Sequence, residues 1–198
     1  MRVGRKSLIP LGLALVLIGA VQAEPPLIEA AKDILGRGGP AASLEAVARQ
    51  AGVGIGTLYR HFPTREALFQ AVYHREVEQM LALAADLEGR NDKLEAVRSW
   101  LHAYVALVAT KRGLLGTLSF AVSDTSREMY EKLSLKTTAA VGRLLQAAIA
   151  AGEVRQDVTP DDLLKTLFAL CYAREPEPGW DADVLRLLDI FIDGLKVR

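Results

Sequence analysis

The chain has 198 residues, enough for one medium domain or for a small head on a larger body. Apolar residues make up 51% and charged residues 24%, a balance that builds a packed core and excludes a disordered polymer. Lysine plus arginine number 24, as do aspartate plus glutamate, so bulk charge does not draw in polyanions and any such contact must come from a local basic face. Alanine and leucine recur while β-branched runs bounded by turn residues are nearly absent, which favours an all-helical fold. The lone Cys171 excludes an intramolecular disulfide and suits a reducing compartment.

Arg2, Arg5 and Lys6 precede an apolar run from Leu8 to Val21, followed by Gln22-Ala23. A basic start, an apolar stretch of roughly 7–15 residues and a small-x-Ala end are the three parts of a secretory signal. The run falls short of the about 20 residues that a comfortable membrane span needs. The other readings of residues 1–23 are a foreign segment or misassigned start in place of a lost arm, and an extra apolar helix.

After Pro25-Pro26, Leu27, Ala31, Ile34 and Leu35 recur at helical spacing, and Gly36-Arg37-Gly38-Gly39-Pro40 ends that helix. Ser43 caps a second helix with Leu44, Val47, Ala48 and Ala51 on its apolar face and Glu45 in its first turn; Gly52 breaks it. A short third helix is predicted over Ile55 to His61, stopped by Pro63. Thr64 caps a long fourth helix whose stripe is Phe69, Val72, Tyr73, Val77, Met80, Leu81 and Ala84. Five more follow: one capped by Asp92 and striped by Leu94, Val97, Leu101, Tyr104, Val105 and Val108; a short one over Leu114 to Val122; and a long one from about Ser126 that Gly152 closes. Thr159-Pro160-Asp161-Asp162 then joins an N-cap, a proline at the first helical position and acids at the positive helix end. A loop from Arg174 to Gly179 precedes the last helix, which carries Val184, Leu187, Leu188, Phe191 and Leu195.

The informative stretch is Ser43 to Leu68. A helix-turn-helix needs a small residue at the helix crossing (Ala48), a glycine in the turn (Gly52), and apolar residues that lock the second helix: Val47, Ala51, Val53, Leu58 and Phe62. The other side of that second helix then presents Gly54, Ile55, Gly56, Thr57, Tyr59, Arg60 and His61. Glycines there let the backbone approach a duplex, and the rest reach base edges or phosphates in the major groove.

Residues 51 to 68, Ala-Gly-Val-Gly-Ile-Gly-Thr-Leu-Tyr-Arg-His-Phe-Pro-Thr-Arg-Glu-Ala-Leu, resemble the signature of the tetracycline-repressor (TetR) family. That family's pattern is Ala-Gly-Val-Ser-x-x-x-x-Tyr-x-His-Phe-x-x-Lys/Arg-x-x-Leu. The resemblance spans residues 27 to 75 strongly and continues more loosely to the C-terminus, where Ala-Gly-Glu-Val-Arg-Gln-Asp-Val-Thr-Pro-Asp-Asp also fits. It implies an all-α fold of about nine helices, with a helix-turn-helix DNA-binding domain over residues 24–70 and an effector-binding and dimerisation domain over 71–198.

The resemblance further implies phosphate contacts from Ser43, Tyr59, His61 and the helix start at Thr64 and Arg65, with base or groove contacts from Ile55, Gly56, Thr57 and Arg60. Arg60 is the first choice for a guanine. A solvated arginine touching only phosphate is the alternative there, and packing on the head's own surface is the alternative for Tyr59 and His61. Two departures stand out. A basic arm usual in the family is replaced by the apolar Leu8–Ala23 segment and Glu24, and Gly54 stands where serine is commoner.

In the body, Trp100, His102, Tyr104, Leu107, Phe120, Met129, Tyr130 and Cys171 are candidates for a small-molecule pocket, and equally for an ordinary helical core. The last two helices are apolar on more than one face, which points to a homodimer through Leu167, Phe168, Leu188, Phe191 and Ile192. His61, His74 and His102 lack metal-ligand spacing, no glycine-rich phosphate loop follows a strand, and Cys171 has no evident base partner, so neither a metal nor another cofactor nor catalysis is expected.

The expected function is thus a ligand-responsive regulator, by the family's usual mode a repressor. It would bind a palindromic duplex operator as a homodimer and be released by a small-molecule effector. The rival takes the N-terminus at face value: an exported or membrane-tethered helical binding protein, touching membrane through residues 8–21. The DNA signature constrains many more positions than a signal peptide does, so a cytoplasmic location is expected.

Overall fold

The computed structural model describes residues 24–34, 43–116, 124–173 and 179–197. Eight helices and no strand occur among them: α1 over 24–34, α2 (Leu44–Gln50), α3 (Ile55–His61), α4 (Arg65–Glu88), α5 (Lys93–Gly116), α6 (Asp124–Ala150), α7 (Pro160–Tyr172) and α8 (Trp180–Asp193). The chain forms two compact units that divide between Val72 and Tyr73. The apolar segment 8–21 lies outside the described residues; among those described, no helix is long and apolar enough to cross a membrane.

In the first unit, α1 buries Leu27, Ala30 and Ala31, α2 buries Leu44, Val47 and Ala48, and α3 contributes Leu58. Phe62 and the opening turns of α4, through Leu68, Phe69 and Val72, complete this core. Asp33 of α1 accepts a hydrogen bond from the Gln50 side chain at 3.2 Å, fixing α1 to the end of α2.

The second unit is built on α5, which packs against α6, α7 and α8. Its first turn is capped twice. The Glu95 amide donates to the Asp92 carboxylate at 2.8 Å, and the Leu94 amide donates to Glu153 at 2.6 Å from the turn after α6. Trp100, fully buried, donates its indole N–H to the Met80 carbonyl of α4 at 3.0 Å, so its one polar atom carries no desolvation penalty.

Gly152 ends α6 in the left-handed region at φ +74°, where glycine has no Cβ penalty. The Glu153 amide reaches back to Ala148 and the Gly152 amide to Ile149, satisfying carbonyls that a helix end otherwise orphans. The chain then pairs with its own end, as the Arg155 amide donates to Leu195 and the Val197 amide to Glu153. Thr159 opens α7 with a full capping box: its hydroxyl accepts from the Asp162 amide, and the Asp162 carboxylate accepts from the Thr159 amide.

One expectation changes in its described part. The helix anticipated over Leu114–Val122 is not separate in its described part, because α5 runs on through Gly116. Ala109-Thr110-Lys111-Arg112 contains no breaker, so the helix continues through it; residues 117–123 lie outside the described set. The count among described residues is therefore eight rather than about nine.

A polar clasp holds α8 to α5. Arg98 pairs with Asp189, and also with Asp193 at 2.7 Å, while His102 Nε2 lies 2.8 Å from the same Asp189 oxygen. Partial burial works to raise the Asp189 carboxyl, but the hydrogen bonds from Arg98 and His102 outweigh it and hold the group below the usual aspartate range. A depressed carboxyl contributes stability above its unfolded value of about 3.9 and loses it as pH falls through the folded value. Asp189→Asn is therefore expected to lower the urea midpoint at pH 7, with the difference from wild type shrinking below about pH 4 as the wild-type carboxyl protonates. Urea titrations at both pH values check this.

Candidate nucleic-acid interface and effector region

The turn between α2 and α3 is set by Gly52, which adopts φ +71°. The Val53 amide donates to Ala48 at 3.0 Å and the Gly52 amide to Arg49 at 3.1 Å, the paired bonds that close a helix on a left-handed residue. The chain re-enters helix at once through Gly54, whose carbonyl accepts from the Thr57 amide at 2.9 Å. Leu58, fully buried, pins α3 to the core, and Phe62 follows at 5% exposure.

With Leu58 inward, the opposite side of α3 faces out. Gly54, Ile55, Gly56, Tyr59 and Arg60 are exposed, whereas Thr57 and His61 are partly covered. Tyr59 keeps 46% of its surface in solvent and Ile55 37%, large values for apolar rings and branches that have a core beside them. Arg60 folds back so that Nε donates to the Gly56 carbonyl at 3.4 Å, and the His61 ring leans on Phe62 with centroids 6.2 Å apart.

Ser43 and Thr64 flank this surface as exposed caps, accepting from the Ala46 and Ala67 amides at 3.1 and 3.0 Å. Arg65, partly buried, stacks its guanidinium 5.3 Å from the Phe69 ring centroid. The ten residues expected at a DNA contact thus all belong to the first unit, with seven exposed to solvent: Ser43, Gly54, Ile55, Gly56, Tyr59, Arg60 and Thr64.

The expected pocket residues divide. Trp100, Tyr104, Leu107 and Cys171 are buried in the second unit's core, where Tyr104 stacks 5.0 Å from Trp100 and meets Phe168 edge-on at 5.9 Å. Met129 and Tyr130 are partly buried against the same core. His102 points elsewhere, into the clasp with α8, and Phe120 lies outside the described residues.

Sequence reasoning placed Tyr73 only in the apolar stripe of the fourth helix and did not single out Lys111. The Lys111 ammonium lies over the Tyr73 and Tyr130 rings, which themselves meet edge-on at 5.0 Å. A groove of about 730 Å³ lies elsewhere, between Ile149–Gln156 and Gly194–Val197, and none of the expected residues lines it. No group of three or more histidine, cysteine, aspartate or glutamate residues that could hold a metal occurs among the described residues.

The expected dimer residues divide as well. Leu167, Leu188 and Ile192 are fully buried within the protomer, because the inward faces of α7 and α8 need them for their own core. Phe168 and Phe191 are only partly buried, and the exposed large apolar residues of α7 and α8 are Tyr172, Leu187 and Ile190, at 49%, 41% and 60% exposure.

A helix-turn-helix with its second helix turned outward, followed by a helical body, defines a one-chain DNA-binding regulator. Residues 27–72 match the family described as bacterial regulatory proteins, tetR family, and residues 92–197 match the C-terminal domain described as transcriptional regulator SbtR-like. The crystal structure of the TetR transcriptional regulator SCO0520 from Streptomyces coelicolor is 33% identical, with a TM-score of 0.74 over 87% of this chain and 98% of that one. The TetR transcription regulatory protein from Mycobacterium vanbaalenii is 28% identical, with a TM-score of 0.69 over 92% of this chain and 99% of that one. The HTH-type transcriptional regulator SAR0097 of Staphylococcus aureus (strain MRSA252) is 33% identical over 106 residues, half of this chain and half the length of that relative. The chain belongs to the TetR family of bacterial transcription regulators.

Gly54 and Gly56 are not required by the fold: a Cβ built on either meets nothing within 4 Å, and neither has positive φ. Gly56→Ala is expected to raise stability by up to about 1 kcal/mol, since alanine loses less backbone freedom in a helix. Guanidinium denaturation checks this; a loss of stability would show that Gly56 has an internal role.

Proposed function

We propose that the protein binds a palindromic operator in duplex DNA as a homodimer, with α3 in the major groove, and that a small molecule taken up by the body releases it. The observation that carries this reading is the outward face of α3. It spends two glycines where the fold has room for side chains, and leaves Ile55, Tyr59 and Arg60 in solvent while Leu58 alone anchors the helix. Glycine without an internal need suits a surface that another backbone approaches closely.

In this reading Arg60, freed from its bond to Gly56, reaches a base edge, with Thr57 and Ile55 beside it in the groove. Ser43, Tyr59, His61, Thr64 and Arg65 hold phosphates, and the location is the cytoplasm, where the chromosome is. Repression is the sign of regulation that the family resemblance favours.

The dimer face takes Phe168 and Tyr172 of α7 with Leu187, Ile190 and Phe191 of α8. Each set recurs at three or four residues, so each forms one stripe beside the buried residues of the same helix. Two heads about one helical turn of DNA apart then read two half-sites.

Selection from genomic DNA at low salt is expected to enrich a palindrome with wild-type protein. The single variants Tyr59→Ala and Arg60→Ala should each bind the enriched site more weakly, by about 1–3 kcal/mol for Arg60 if it holds a base. Failure of the wild type to select any sequence would overturn the reading. Ile190→Glu is expected to shift the protein from dimer to monomer in light scattering, because it buries a charge at the stripe's centre; a dimer that persists would place the interface elsewhere.

A further inference from the structure

The inward stripe of α5 ends in a charge. Leu94, Val97, Leu101, Tyr104 and Val108 are buried at intervals of three or four residues, and Lys111 stands next in that series. It is partly buried, with its ammonium 5.5 Å from the ring centroid of Tyr73 on α4 and 5.8 Å from that of Tyr130 on α6. Loss of water pushes its pKa below the usual lysine value, and no carboxylate among the described residues acts to restore it.

Neighbouring cations are treated differently. Arg112 donates to the Cys171 carbonyl and stacks over the Tyr172 and Trp180 rings, while Arg98 has two aspartates. A desolvated ammonium whose partners among the described residues are aromatic faces recovers only part of what it loses on leaving water. Burial above all, and then the neighbouring Tyr104, Tyr130 and Tyr172, raise the pKa of Tyr73, so its phenol stays protonated and able to donate. One cation, neutral donors and apolar rings together complement one negative charge on an apolar body.

We propose that Lys111, with Tyr73 and Tyr130, receives the carboxylate of an acidic, largely apolar small molecule, which is the effector of this regulator. The assignment rests on reading the body as the effector domain. A single cation matches a monocarboxylate; a phosphate dianion would call for a second free cation, and the adjacent Arg112 is already engaged.

The test is calorimetric titration of the full chain with octanoate and phenylacetate, set against octanamide and phenylacetamide, which keep the shape and lose the charge. Octanoate or phenylacetate is expected to bind about ten-fold more tightly than its amide, Lys111→Met to remove that preference, and Lys111→Arg to keep most of it. Circular dichroism confirms that each variant is folded, and the acid–amide comparison on unaltered protein stands even if one is not. Acid and amide binding alike, binding by none of the four, or undiminished acid binding by folded Lys111→Met would overturn the proposal. Operator retention is measured in parallel: acid bound through Lys111 that leaves DNA binding unchanged keeps the anion site and overturns the effector reading instead.

Discussion

The left-handed residue at Gly52 decides what the first unit presents. Once Gly52 turns the chain, α3 must begin within two residues, and only Leu58 and the following Phe62 are placed to reach the core. Turning α3 over would expose Leu58 and bury Arg60 or Tyr59, exchanging apolar burial for the desolvation of a charge or a phenol. A side chain at position 52 would need positive φ, which β-branched and bulky residues adopt only under strain. The outward face of α3 is thus a consequence of a turn and one leucine rather than of anything on that face itself.

The second unit is held by contacts distant in sequence. Glu153 caps α5 from 59 residues away, Arg98 and His102 reach Asp189 across 91 and 87, and Arg143 of α6 pairs with Glu88 of α4 at 2.6 Å. Gly142 lets α7 start close against α6: a Cβ there would sit 3.3 Å from Cγ of Pro160, tighter than ordinary contact.

Much of this was legible beforehand because helix ends are written locally. Ser43, Thr64, Asp92 and Thr159 cap as their positions predict, and Gly52 and Gly152 stop helices as expected, since a cap involves only three or four neighbouring residues. What escaped depends on which face of an element turns inward. In α7 and α8 apolar residues occur on two sides, and periodicity cannot say which side the protomer keeps; Leu167, Leu188 and Ile192 went to its own core, leaving Leu187 and Ile190 outside. Lys111 escaped for a related reason. It sits in register with the buried stripe of α5, but a pattern that counts only apolar residues passes over a cation in that series.

Cys171 has a practical consequence. The thiol is buried at 1% exposure, and loss of solvation pushes its pKa up to about 11, so it holds almost no thiolate at neutral pH. Alkylating reagents need both access and thiolate, and this sulfur offers neither. A cysteine introduced at an exposed position away from α3 and α8, such as Gln79 of α4, would then be the single modifiable thiol among the described residues. Fluorophores or spin labels can accordingly be attached at one chosen point without first deleting the native residue.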